Sequence, residues 1–70
     1  MKDRTITIVL NRKTQPGPSG AVYRLMNITN AAKLVIDGVV FHVGDSISQH
    51  LTEKLVEAYP TATIRLNSAL

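Results

Sequence analysis

The side chains able to do chemistry are few in this chain. Cysteine is absent, the histidines are His42 and His50, and the acids are Asp3, Asp37, Asp45, Glu53 and Glu57. Side-chain catalysis needs a nucleophile with a base in reach, a pair of carboxylates, or a metal. His42, Asp45 and His50 could meet around zinc if a helix folded back over the end of a strand, but their spacing matches no compact zinc signature. His42 reads more simply as a half-exposed strand residue. Glu53 and Glu57 stand four apart, so a helix would bring their carboxylates together for acid–base work. A solvated helix face explains the same spacing. Gly17 and Gly20 lack the lysine and the following helix of a phosphate loop. The sequence therefore predicts no enzyme, no metal site and no cofactor.

Basic side chains are more numerous. Eight Lys and Arg against five acids give a net charge of +3 and a pI near 9.7. Charge of this size speaks to solubility first. The basic residues are scattered, and only Arg12-Lys13 form a pair. Recognition of nucleic acid on a sheet favours aromatic side chains interleaved with basic ones. The aromatics are Tyr23, Phe41 and Tyr59, and Tyr23-Arg24 is the one adjacent aromatic–basic pair. Arg4, Arg24 and Arg65 fall in strand-like stretches and could line one sheet face, with Tyr23 at an edge. A small nucleic-acid-binding protein would then use Arg12, Lys13, Tyr23, Arg24 and Arg65.

The elements that must position these groups follow from periodicity. Residues 5–10 (TITIVL) alternate with period two and are rich in β-branched side chains, which predicts a strand. Residues 11–20 hold two prolines and two glycines close together and form a loop. Ten residues is long for a hairpin connection, so the loop serves as a flexible spacer or as a contact surface. Residues 21–29 read as a second strand. Val22, Arg24, Met26 and Ile28 share one face and Tyr23, Leu25 and Asn27 the other, so neither face is purely polar. Such mixing suggests a strand covered on both sides.

Asp37-Gly38 between residues 33–36 and 39–43 predicts a tight hairpin, since a type I′ turn needs positive φ at both central positions. Gly44-Asp45 makes another turn. A helix follows, with Ser46 or Ser48 as N-cap. Leu51, Leu55 and Ala58 set its apolar stripe, widened by Val56 and Tyr59. Pro60 ends it, and residues 61–66 alternate again as a last strand. The order is β, β, β-hairpin, α, β. The expected class is α+β, a small mostly antiparallel sheet with one amphipathic helix packed on one face.

Seventy residues make one small domain, 1–70. A core of this size supplies no more than about 3–5 kcal/mol without a staple. Disulfides are excluded, which leaves association with another protein as the remaining means of support. Edge strands offer unpaired N–H and C=O groups for that purpose. The uncharged strand at residues 5–10 suggests itself as such an edge. The expected contact residues are Thr5, Ile6, Thr7 and Ile8, with Arg12, Lys13, Pro16 and Pro18 from the loop. On that reading Ile8→Lys weakens assembly and leaves the fold intact. No apolar stretch reaches the length that spans a membrane, and none near the start is long enough for a signal peptide.

Residues 36–66 also resemble a module of small accessory virion proteins of tailed bacteriophages, the head-fibre and minor capsid-associated proteins. The features are a strand at 39–43, Gly44-Asp45, Ser48 as cap, Leu51 with Leu55 on a short helix, and a last strand at 61–66. The resemblance implies a structural role on a particle, in the virion or the host cytoplasm, with many copies and no catalysis. The partner would be a larger shell protein or the chain's own copies. A docked inhibitor of a host enzyme would look the same in sequence. Without the resemblance, the expectation is a cytoplasmic protein.

Overall fold

A computed structural model describes residues 5–13, 17, 18 and 20–67. The elements are β1 (Thr7–Arg12), β2 (Val22–Thr29), β3 (Leu34–Ile36), β4 (Val39–Phe41), β5 (Ser46–Ser48), α1 (Gln49–Ala58) and β6 (Thr63–Asn67). The described residues form an α+β fold, with one helix and a mostly antiparallel mixed sheet. Four strands lie in the order β5-β2-β1-β6, and β3 with β4 forms a separate two-stranded hairpin. β1 runs antiparallel to β2 and parallel to β6.

This order corrects the expected place of the first strand. β1 is central, paired on both sides, and Ile8 and Leu10 are fully buried. A strand without charges suits a central position as well as an edge, and here both rows of its backbone groups are taken up by neighbours. The edges of the main sheet are β5 and β6.

β2 carries an irregularity that explains its mixed faces. Leu10 lies opposite Leu25, but the preceding Val9 lies opposite Asn27, so the register shifts by one residue. A bulge of this kind reverses the alternation of side chains beyond it. Tyr23 and Leu25 point into the core before the bulge, and Ile28 packs against it afterwards. Met26 and Asn27 are exposed at the bulge itself. The mixture of residues on both faces reflects this switch, and no second covering layer is needed to explain it.

Asp37 and Gly38 have φ of 55° and 79°, as the type I′ turn requires. The hairpin turns Leu34, Ile36 and Phe41 inward. Ser48, the end of the short β5, caps the helix: its hydroxyl accepts the Leu51 N–H at 3.3 Å. The competing cap candidate, Ser46, lies in β5 opposite Arg24. The buried side of α1 is narrower than the expected stripe. Leu55 is buried, Leu51 and Tyr59 pack partly against the core, and Val56 and Ala58 are exposed. Tyr59 closes the helix with its N–H on the Leu55 carbonyl, and its hydroxyl accepts the Val35 N–H at 2.8 Å. That bond fastens the hairpin to the end of the helix. At the other end Gln49 grips Ala21 from both sides: Oε1 accepts its N–H at 2.9 Å, and the Gln49 N–H donates to its carbonyl at 3.0 Å.

Candidate interaction surfaces

The first surface is the outer edge of β6. In a parallel ladder the N–H and C=O of one residue both face the same neighbour, and the next residue faces away. The Thr63 N–H donates to the Ile6 carbonyl at 2.8 Å. Thr63, Arg65 and Asn67 therefore turn their backbone groups toward β1, while Ile64 and Leu66 turn theirs outward. Those outward groups have no backbone partner among the described residues. The side chains of Ile64 and Leu66 lie beside Ile8 and Leu10 in the register, and Leu66 is left 49% exposed. This edge combines a free backbone with a half-covered apolar side chain.

The second surface is the sheet face away from the core. Its rows read directly from the register: Ser46, Arg24, Asn11 and Asn67 across one, then Asn27, Val9 and Arg65, then Thr29, Thr7 and Thr63. Asn67 donates its side-chain N–H to the Asn11 Oδ1 at 2.7 Å. The Lys13 ammonium donates to the Ser46 hydroxyl at 2.8 Å, which holds it beside Arg24. Asn11, Arg12, Lys13, Arg24 and Met26 line a shallow hollow at this end. Arg12 Nε is buried without a hydrogen-bond partner among the described residues.

A third exposed area lies on the hairpin, where Val35 and Val40 face each other across the strands at 43% and 44% exposure. Val39 and Val43 are exposed nearby.

The expected contact residues are divided by this structure. Ile8 is sealed in the core and Ile6 packs partly against it, so neither offers a free surface. Thr7 is flanked on both sides, by Thr29 of β2 and Thr63 of β6, and so stands inside the sheet and not at an edge. Thr5 is exposed, and its carbonyl accepts from the Asn30 amide at 2.9 Å. Pro18 is exposed, whereas Pro16 and Arg4 lie outside the described residues. Among the expected nucleic-acid residues, Arg24 and Arg65 share the outer face and Lys13 leans over it. Tyr23 is 8% exposed and points into the core, where it cannot stack on a base. It does not stand at an edge, because β5 pairs beyond it.

Local sequence carries no signal for β5, for the outward backbone of β6, or for the meeting of the Asn11 and Asn67 amides. A three-residue strand leaves too little periodicity to detect, and the parallel partner of β6 has no local signature. Among the described residues no group of three His, Cys, Asp or Glu side chains stands together to hold a metal. No helix there is long and apolar enough to cross a membrane. Comparison of the chain with family models, curated proteins and solved structures finds no match.

Proposed function

We propose that this chain is a non-catalytic interaction module, a small assembly component that joins its own copies or a larger shell protein by strand addition at β6. The observation that carries this reading is the outward row of Ile64 and Leu66 backbone groups at one end of the four-stranded sheet, beside the half-exposed Leu66 side chain. A partner strand there would satisfy those groups and cover Leu66, which provides both affinity and register. The hairpin edge at β4 is a weaker acceptor, since a partner would extend only a two-stranded ribbon. The resemblance of residues 36–66 to accessory virion proteins of tailed phages supports a setting on a particle.

Proline substitutions test the edge. Leu66→Pro removes an N–H that points away from β1, which an edge strand tolerates. It should leave the fold in place and abolish assembly. Arg65→Pro removes an N–H directed at β1 and should destabilise the sheet itself. Assembly that survives Leu66→Pro, measured by sedimentation, would show that the edge is not the joint.

A further inference from the structure

We infer that the outer sheet face is a binding surface for the phosphate backbone of duplex nucleic acid, a site separate from the β6 edge. Charge is segregated in the described residues. Lys13, Arg24 and Arg65 stand on or over this face, while Arg12, opposite the inward-pointing Tyr23, takes the other side of β1. The acids lie elsewhere: Asp37 in the hairpin turn, Glu53 and Glu57 on the helix, and Asp45 in the corner before β5. Asp45 turns its carboxylate to the His42 N–H at 2.9 Å. Arg24 and Arg65 make no ion pair or hydrogen bond with any described side chain, so their guanidinium groups are free to take a ligand.

The neutral residues around these cations select the kind of anion. Phosphate contacts are made by Arg and Lys together with Ser, Thr and Asn side chains. Asn11, Asn27, Asn67, Thr7, Thr63 and Ser46 supply that set. A protein partner would want a buried apolar anchor, and Met26 and Val9 are the main apolar residues here. A membrane would want side chains to insert, but the exposed valines are on the hairpin. Stacking of single-stranded bases needs aromatic side chains, and Tyr23 and Phe41 are buried on the other side. A duplex held through its phosphates, without reading of sequence, is what remains. Arg24 and Arg65 sit two strands and two residues apart, about 12 Å between Cα atoms from ordinary sheet spacings, so they reach different phosphates.

Fluorescence anisotropy of a labelled mixed-sequence DNA duplex, titrated with the full chain between 50 and 200 mM salt, tests this. Three phosphate contacts predict a slope near −2.7 in log–log form, or about forty-fold weaker binding across that range. Arg65→Gln should reduce the change to about twelve-fold, and Arg24→Gln should act similarly. Lys33→Gln and Lys54→Gln, which lie off this face, should leave affinity within two-fold once the small change in net charge is matched by salt. Circular dichroism shows that each variant is folded. Absence of binding at 50 mM salt overturns the proposal. So does equal loss from the off-face variants. Equal binding to phosphatidylserine vesicles or to a polyglutamate peptide overturns it too, by showing general attraction to anions.

Discussion

Ile8→Lys separates a central β1 from an edge β1. In an edge strand the lysine would swing into water and fold stability would change little. In this sheet Ile8 is fully buried, opposite Ile28 on one side and Ile64 on the other. Replacing it forfeits about 1.5–3 kcal/mol of apolar burial. Placing an unpaired ammonium in the same space adds several kcal/mol more. The sum exceeds the roughly 3–5 kcal/mol that a core of this size supplies, so the variant should be unfolded at 25 °C. Thr7→Gln, one residue away on the outer face, should stay folded and lose less than about 1 kcal/mol, in keeping with substitutions away from the core. Urea denaturation followed by far-ultraviolet circular dichroism reads both. A cooperative transition in Ile8→Lys, with a midpoint near that of the unmodified chain, would refute the central placement of β1.

Two further substitutions probe the fastenings around the core. Gly20→Ala should cost about 2–3 kcal/mol in the same denaturation assay, from a residue forced to φ +88° and from loss of the Gln49 bond; its new Cβ would stand 2.7 Å from the Gln49 Oε1 that holds Ala21. Tyr59→Phe leaves the Val35 N–H without its partner and should cost about 0.5–1.5 kcal/mol, with faster amide exchange at Val35; an unchanged exchange rate there would show that the bond does not form.

Much of the fold is legible in the sequence because its signals are local. Asp37-Gly38 specifies the hairpin turn through backbone conformation alone. Ser48 and Pro60 bracket the helix by hydrogen bonding and by steric exclusion. What is not legible depends on distant pairing. Nothing within residues 5–10 distinguishes a centre strand from an edge, since Ile8 and Leu10 alternate with threonine or valine in either case. The bulge at Met26 arises from the meeting of β1 with β2, and it moves Ile28 onto the side opposite to the one that simple alternation gives. The same limit governs the candidate surfaces. Arg24 and Arg65 are recognisable as basic strand residues, but their common face follows from β6 lying beside β1. Tyr23 looks like a stacking residue beside Arg24 until its partner Ile47, in the undetected β5, places it in the core.

Two amides distinguish an open β6 edge from a joined one. Amide hydrogen exchange, read at Ile64 and Leu66 in the isolated chain and in its assembled fraction, addresses them directly. Strand addition predicts fast exchange at both in the isolated chain and strong protection at both after assembly, while Arg65, already bonded to β1, changes little. Equal rates at Ile64 and Leu66 in the two states would contradict the account and move the joint to another surface.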